Sequence, residues 1–159
     1  MEDHITNTNI KTINLTSLPI LPKRATPFSA LDLYSTNNYI VQPYHVQLIP
    51  TGIKIQLPTD IFAIINGRSS LSQKGILIHP GIIDNDYRGE LKVILQNLTK
   101  TNLKIKTLDK IAQLIIHNYH KPQIIEVTSL EPSIRQEQGF GSSSTNTMTE
   151  NSMDTTNIL

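Results

Sequence analysis

The 159-residue sequence predicts an all-β domain with one short helical turn, from its composition and its hydrophobic periodicity. It contains 24 Ile, 17 Thr and 13 Asn but only 4 Ala and no Trp. β-branched side chains favour pleated strands, whereas Ala, the strongest helix former, is nearly missing. Short runs of alternating apolar and polar residues recur between turn-forming residues, as in half-buried strands. A chain of this length buries enough surface for a core without disulfides.

The strands can be placed from the runs in order along the chain. Six runs predict strands, and they are residues 46–48, 53–57, 61–65, 91–96, 103–106 and 111–116. Residues 61–65 and 111–116 are almost continuously apolar, which predicts cover on both faces. Residues 1–20 fit an edge strand, and one helical turn is expected near Ser70–Gln73. With Pro and Gly between the runs, this spacing is typical of an antiparallel sandwich, jelly roll or barrel.

Composition and charge exclude several classes of function. The chain has no Cys, so disulfide scaffolds, Cys-ligated zinc and cysteine nucleophiles are excluded. A formal net charge of +1 provides no bulk field for nucleic acid or anionic lipid. The sequence has neither a membrane-length apolar run nor a signal peptide at its start. We therefore expect an intracellular protein, cytoplasmic or nuclear, that binds neither nucleic acid nor membrane.

The composition changes near the C-terminus. From Gly139 onward the chain is rich in Gly, Ser, Thr and Asn and poor in large apolar residues. We expect residues 1–138 to form the folded domain and residues 139–159 to form a flexible arm and disordered tail. Phe140 stands between two glycines, so residues 139–144 are either part of that tail or a lid that closes over a ligand.

Residues 82–90, IIDNDYRGE, form the first motif with chemical potential. Asp84 and Asp86 are two residues apart, and alternate residues of a strand share one face. Both carboxylates could therefore point into one pocket. The alternative is a polar hairpin turn, because Asp, Asn and Gly are common turn residues.

Residues 67–71, GRSSL, form the second motif. A guanidinium, two hydroxyls and backbone N–H groups at the start of a helical turn suit an oxyanion. The alternative is an ordinary helix N-cap at Ser69 or Ser70. His117 and His120 raise the question of a metal pair, but at this spacing on a strand they face opposite sides, which favours surface histidines.

Five blocks taken in order resemble the trimeric dUTPase family (deoxyuridine triphosphate nucleotidohydrolases), which includes viral members. The blocks are Ser29–Leu33, Gly67–Leu71, Gly81–Gly89, Asp109–Ile115, and Arg135 with Gly139–Ser143. This resemblance covers about residues 12–144 and implies a jelly-roll-like β-barrel. It also implies a homotrimer whose active sites are shared between subunits.

The resemblance implies hydrolysis of dUTP to dUMP and pyrophosphate by Mg²⁺-assisted attack of water on the α-phosphate. This reaction limits uracil in DNA and supplies dUMP for dTMP synthesis. Asp84 is the expected water-activating base, Asp32 holds Mg²⁺ through water, and Arg135 contacts the γ-phosphate. The expected substrate contacts are Arg68, Ser69, Ser70, Gln113, Gly141, Ser142 and Ser143 for the phosphates, Gly81, Ile82, Ile83 and Phe140 for uracil, and Tyr87 for deoxyribose.

The sequence departs from the family pattern at four positions, namely Ala30, Leu108 and Gln136 where the family has Gly, and Lys110 where it has Arg. Three other functions compete. A dCTP deaminase shares the fold, but its glutamate base corresponds here to Ile94. A dUTPase-like protein-binding module and a jelly-roll capsid protein are the others, and the second has no reason to carry the Asp84–Tyr87 motif.

Overall fold

A computed structural model describes residues 9–134 and Gln136. The chain divides into two units, Met1–Lys121 and Pro122–Leu159, and every described helix and strand belongs to the first. The elements are β1 (Lys11–Asn14), β2 (Lys23–Arg24), β3 (Leu31–Tyr34), β4 (Tyr39–Val41), β5 (Val46–Gln56), β6 (Ile61–Asn66), α1 (Ser69–Ser72), β7 (Ile76–His79), β8 (Gly81–Ile83), β9 (Glu90–Asn97), β10 (Leu103–Ile105) and β11 (Lys110–Asn118).

The strands form three antiparallel sheets. A four-stranded sheet has the order β1-β5-β9-β7, a five-stranded sheet has the order β2-β3-β11-β6-β8, and β4 pairs with β10. The all-β prediction, the helical turn and the edge strand near the N-terminus are confirmed. The sheets are not closed into a barrel, because within the described residues no ladder joins the edge strands of one sheet to those of another.

Alternation along the strands divides core from surface. In β9, Leu91, Val93 and Leu95 are fully buried, while Lys92 and Ile94 between them are exposed. This confirms the prediction of one exposed face for residues 91–96. A period of two produces such a pattern wherever only one face of a sheet is covered.

The prediction that residues 61–65 and 111–116 are covered on both faces is wrong for the single chain. Ala63 and Ile65 of β6 are buried, but Phe62 and Ile64 are only half-buried. In β11, Ile115 is likewise half-buried. These side chains lie on the outer face of the five-stranded sheet, where the described part of the chain places no second layer.

Asn97 is a fully buried polar residue at the end of β9. Its Nδ2 donates to the carbonyl oxygens of Val41, Gln42 and Thr101 at 3.0, 3.2 and 2.8 Å. Its Oδ1 accepts hydrogen bonds from the backbone N–H and hydroxyl of Thr99. A buried amide is stable when both its nitrogen and its oxygen form hydrogen bonds. Through these bonds Asn97 connects the end of β4 and the loop before β10 to the core.

The second unit contains no regular secondary structure in residues 122–134 and at Gln136. Among residues 122–134, the large apolar side chains are exposed, and they are Ile124, Ile125, Val127, Leu130 and Ile134. The predicted boundary between residues 138 and 139 lies outside the described residues and stays a prediction. Within the described residues, no helix is both long enough and apolar enough to cross a membrane.

Gly52 lies where the pairing of β5 with β9 is irregular, between Pro50 and Lys54. Its φ is +69°, and a Cβ there would lie 2.7–2.9 Å from methyl groups of Ile20, Thr36 and Thr16. Gly75 has a similar φ of +73°, but a Cβ there would meet only Thr99, at 3.1 Å. Both glycines have a positive φ, which disfavours any other residue. Only at Gly52 would an added Cβ also collide severely with neighbouring side chains.

We expect Gly52→Ala to lower the free energy of unfolding by about 2–4 kcal/mol, since left-handed strain adds to overpacking. Gly75→Ala is the matched control and should cost about 1–2 kcal/mol, from backbone strain alone. Urea denaturation measures both. Equal losses in the two variants would show that the three methyl contacts at Gly52 do not matter.

Candidate active site

A buried carboxylate lies at the centre of the candidate site. Asp32 in β3 is only 4% exposed. Its Oδ2 lies 2.8 Å from Nζ of Lys110, and its Oδ1 lies 3.2 Å from Nε of Arg68. A charge taken out of water this far requires partners, and Asp32 has one on each oxygen.

Three elements bring these residues together. β11 pairs with β3 so that Lys110 lies opposite Tyr34 and Gln113 opposite Asp32, with a bulge after Lys110. Arg68 precedes α1 in extended conformation, and its Nη1 donates to the carbonyl oxygen of Lys110 at 3.2 Å. The guanidinium is therefore held by both the carboxylate and the β11 backbone.

Arg68 is not fully satisfied by these contacts. Nε of Arg68 is buried and lies close to Oδ1 of Asp32, but it is not aligned for a hydrogen bond. The interaction between these two atoms is therefore an ion pair without a hydrogen bond. Nη2 of Arg68 has no hydrogen-bond partner among residues 9–134. A planar guanidinium with donors to spare binds carboxylate or phosphate oxygens well. The cluster of Asp32, Arg68 and Lys110 carries a formal charge of +1, which favours an anion.

Polar residues of the family-like sequence blocks lie near the cluster of Asp32, Arg68 and Lys110. Register pairs Asp32 with Gln113 and Gln113 with Asn66, so their side chains share the outer face of the five-stranded sheet. Ser69 and Ser70 are exposed at the start of α1. The N-cap is Arg68 and makes no side-chain capping bond, so the ordinary Ser N-cap interpretation is wrong. Both hydroxyls face solvent without an intramolecular partner in the described chain.

The Asp84 motif lies at the far end of the same sheet. Asp84 follows β8 and is exposed, and its carbonyl oxygen accepts a hydrogen bond from N–H of Tyr87 at 3.2 Å, which closes a turn. Nδ2 of Asn85 donates to the carbonyl oxygen of Thr59 at 2.6 Å. A cavity of about 210 Å³ is lined by Ile61, Phe62, Asp84, Asn85, Asp86 and Tyr119. No sequence pattern predicted the aromatic wall of this cavity, which is formed by Phe62 and Tyr119.

Tyr87 folds back over its own loop. Its hydroxyl donates to the carbonyl oxygen of Glu90 at 3.0 Å, and any side chain at Gly89 would collide with the Tyr87 ring. The preceding strand β8 is the edge of the five-stranded sheet and leaves Ile82 68% exposed. An edge strand presents unpaired backbone N–H and C=O groups that a ligand can bind.

The two halves of the candidate site are far apart in one chain. Asp32 pairs with Gln113, which pairs with Asn66 of β6, whereas Ile83 pairs with Ala63 of β6. Asp84 is therefore level with Phe62, four residues or about 13 Å along β6 from Asn66. β8 and β3 are three strands apart, which adds about 14 Å across the sheet. Asp84 and Asp32 are therefore about 20 Å from each other.

The four positions that depart from the family pattern differ in backbone conformation and in contacts. Leu108 has a φ of +69° and Gln136 a φ of +47°, so both adopt the left-handed conformation that favours Gly. Ala30 has no positive φ, so its backbone conformation does not require Gly. Lys110 replaces a fork with a point charge but still reaches Asp32. Arg135, Phe140, Gly141, Ser142 and Ser143 lie outside the described residues.

The histidines and acidic residues do not build a metal cage. Within residues 9–134 and Gln136, no group of three or more His, Asp or Glu could hold a metal ion. His117 is exposed and stacks on Phe62 with ring centroids 5.2 Å apart, in agreement with a surface histidine. Asp32 already contacts two cations, so this donor set fits Mg²⁺ only as an ion that brings phosphate and water oxygens with it.

Comparisons with known proteins agree on one family. The dUTPase family model matches residues 17–144. The deoxyuridine 5'-triphosphate nucleotidohydrolases of rabbitpox virus (strain Utrecht), variola virus and vaccinia virus (strain Copenhagen) are each 42% identical to this chain over 137 residues. Each of these matches covers 86% of this chain and 93% of the relative.

Solved structures show the same fold. A mutant dUTPase of the 80alpha phage has a TM-score of 0.80 at 23% identity, over 86% of this chain and 99% of that one. A Staphylococcus bacteriophage 80alpha dUTPase mutant with dUpNHpp has a TM-score of 0.75 at 24% identity, over 85% and 98%. A mutant from phage phi11 of S. aureus, with a structural Mg(II) ion, has a TM-score of 0.73 at 22% identity, over 78% and 99%.

Lys110 provides a direct test of the buried cluster. The hydrogen bond to Asp32, followed by the charge of Asp32, raises the pKa of Lys110 above its ordinary value of 10.5. Because this pKa is raised only in the folded chain, the pair stabilises the fold fully below pH 10.5 and its contribution is lost as the pH rises through the raised value.

We expect the Lys110 side-chain carbon signal in an NMR titration to move above pH 10.5, the ordinary lysine pKa. Asp32→Asn should return the pKa of Lys110 to or below this ordinary value, because the hydrogen bond and the charge of Asp32 are both removed. Titration of Lys110 at the same pH in the wild type and in Asp32→Asn would contradict the ion pair.

Proposed function

The chain belongs to the dUTPase family, and we propose that it hydrolyses dUTP to dUMP and pyrophosphate by attack of water on the α-phosphorus. One observation carries the proposal, namely the positively charged Asp32, Arg68 and Lys110 cluster among exposed hydroxyl and amide groups. Such a cluster suits a polyanion. The poxvirus relatives carry the name of this activity. The reaction limits uracil in DNA and supplies dUMP for dTMP synthesis.

We propose that the phosphates bind at the Asp32 end of the five-stranded sheet. Arg68 offers guanidinium donors, Ser69 and Ser70 offer hydroxyls, and Gln113 offers an amide on the same face as Asp32. In the same proposal Arg135 contacts the γ-phosphate, and Gly141, Ser142 and Ser143 close over the phosphates. Donors placed in advance around developing negative charge are the largest source of catalysis in reactions of this kind.

We propose that the nucleoside binds at the β8 end. The backbone of Gly81, Ile82 and Ile83 forms an open sheet edge, and its alternating donors and acceptors can match the uracil edge. Tyr87 packs against the deoxyribose and leaves no room for a 2′-hydroxyl, and Phe140 stacks on the uracil ring. Asp84 is exposed, and as a carboxylate it accepts a proton from the attacking water.

We propose Mg²⁺ as the cofactor, held by Asp32 through water and otherwise by the triphosphate. A hard cation on phosphate oxygens requires few protein ligands and neutralises the charge of the phosphates. The phi11 phage relative with a structural Mg(II) ion is consistent with a magnesium requirement. If bound there, Mg²⁺ would act with Arg68 and Lys110 to neutralise the negative charge of Asp32 and of the triphosphate.

We propose a homotrimer with shared active sites. A single triphosphate nucleotide cannot place its α-phosphate beside both Asp84 and the Asp32 cluster of one chain, since they are about 20 Å apart. The half-buried Phe62 and Ile64 on the outer face of the sheet are consistent with cover by another subunit. The exposed apolar side chains of residues 124–134 favour oligomerisation in the same way.

The same site residues argue against the alternative functions. A dCTP deaminase requires a carboxylate where this chain has Ile94, which is 41% exposed and cannot transfer protons. A protein-binding module without activity would not need Asp32 to be buried between two cations, although a second binding role is compatible with activity. We propose an intracellular location, cytoplasmic or nuclear, because dUTP is an intracellular nucleotide.

We expect the protein to release pyrophosphate from dUTP with Mg²⁺ and to leave dCTP, dTTP and UTP largely unreacted. Asp84→Asn should lower kcat by about 10²–10⁴-fold, because the water loses its base. Asp86→Asn, in the same exposed loop, is the matched control and should keep most of the activity. If the wild type does not turn over dUTP, the proposed function is wrong. Equal activity of Asp84→Asn and the wild type would exclude Asp84 as the base.

We expect two inactive variants to complement each other if sites are shared. Arg68→Met and Asp84→Asn chains should each be inactive alone. Refolded together in equal amounts, they should recover about a quarter of wild-type activity, because half of the chains supply each intact group and the two groups come from different chains. Light scattering should show a trimer. No recovery in mixed trimers would show that both groups act from one chain.

A further inference from the structure

The chain contains an Asn-Gly pair directly before Arg68. Asn66 is the last residue of β6, and Gly67 follows it before α1 begins. Of the 13 Asn in the sequence, only Asn66 precedes a Gly. In such a pair the backbone nitrogen of Gly can attack the side-chain amide of Asn with little hindrance, because Gly has no Cβ to restrict rotation of the backbone.

The structure holds the two reacting groups against each other. The backbone N–H of Gly67 donates to Oδ1 of Asn66 at 2.7 Å. Because Cγ of Asn66 is only about 1.2 Å from Oδ1, this electrophilic carbon also lies close to the Gly67 nitrogen. The pairing of β6 with β11 ends at Asn66, so that ladder does not restrain the backbone of Gly67. Asn66 is exposed, which gives water access to the amide.

The fold does not require Gly at position 67. Gly52 and Gly75 have a positive φ, whereas Gly67 does not. A Cβ at Gly67 would meet Oγ of Ser72 and two carbon atoms of Ile78 at 3.6–3.9 Å, which is ordinary van der Waals contact. Gly67→Ala is therefore a mild change for the fold, and it tests the chemistry of the Asn-Gly pair directly.

We propose that Asn66 is a modification site, at which the chain converts its own amide to a carboxylate. The Gly67 nitrogen loses its proton and forms a bond to Cγ of Asn66. The bond between Cγ and Nδ2 breaks, and Nδ2 takes up a proton and leaves as ammonia. Water then opens the resulting cyclic imide at either carbonyl. One product is aspartate, and the other is isoaspartate, in which the main chain runs through the side-chain methylene.

Either product alters the proposed anion site, and this consequence rests on the proposed function. Asn66 pairs with Gln113, which pairs with Asp32, so the new carboxylate lies on the face proposed to bind the phosphates. It lowers the formal charge of this region by one. Isoaspartate also lengthens the main chain just before Arg68, which displaces the guanidinium from Asp32. The modification therefore limits how long a newly made chain binds dUTP tightly.

The first test follows isoaspartate in the full chain during storage in mildly alkaline buffer, by peptide mass mapping and enzymatic methylation of isoaspartate. Residue 66 should be modified faster than Asn37, which is also exposed but precedes Asn38. Gly67→Ala should slow the reaction by about tenfold or more, because a Cβ hinders the attack. Asn66→Gln should slow it as well, since its longer side chain must close a larger ring. No isoaspartate at residue 66, or an equal rate in both variants and the wild type, would overturn the proposal.

The second test measures the effect on nucleotide binding. Asn66→Asp reproduces the new charge without the altered main chain and should raise KM for dUTP by about tenfold. Gln56→Glu adds the same charge at the exposed end of β5 in the other sheet and should leave KM unchanged. An unchanged KM both in Asn66→Asp and in stored wild type rich in isoaspartate would overturn the effect on binding. Isoaspartate at residue 66 of a protein that does not turn over dUTP would support the modification and reject the proposed function.

Discussion

The buried carboxylate of Asp32 is the constraint on which the candidate site depends. An ionised group at 4% exposure is unstable unless cations reach it, and this requirement places both Arg68 and Lys110. The register of β3 against β11 brings Lys110 close, and the extended residue before α1 brings Arg68. Because Arg68 and Lys110 both pair with Asp32, the cluster keeps one net positive charge. The polar residues Gln113 and Asn66 lie on the same face of the sheet as Asp32. The same ion pairs therefore support the fold and prepare an anion site.

The open sheets place a second constraint on function. β8 and β3 are separated by two strands of one five-stranded sheet, so the β8 edge and the Asp32 cluster of one chain lie far apart. Under the proposed function, a reaction that uses both would have to bring two chains together. The half-buried outer face of β6 is consistent with that proposal, because apolar side chains such as Phe62 and Ile64 gain from cover. In the proposed homotrimer, one surface would then serve both assembly and catalysis.

Much of the fold was predictable because a strand with one covered face repeats every two residues. The buried Leu91, Val93 and Leu95 in β9 and the turn at Ser69–Ser72 follow from such local patterns. Cover on both faces of residues 61–65 and 111–116 was mispredicted for the single chain, because cover depends on which faces meet other layers. The positive φ of Leu108 was signalled only by the resemblance, since Leu itself favours other conformations. The aromatic wall of Phe62 and Tyr119 beside Asp84 had no local signal at all.

The sequence by itself determined the all-β class, the exclusion of thiol chemistry and, through five ordered blocks, membership of the dUTPase family. These are properties of composition and order, which need no knowledge of distance. Only the tertiary structure decided that Lys110, a departure from the family pattern, still pairs with Asp32 at 2.8 Å. It also decided that Asp84 lies far from that pair within one chain. Pairing and separation arise from strand register across the sheet, and register links residues that the chain keeps dozens of positions apart.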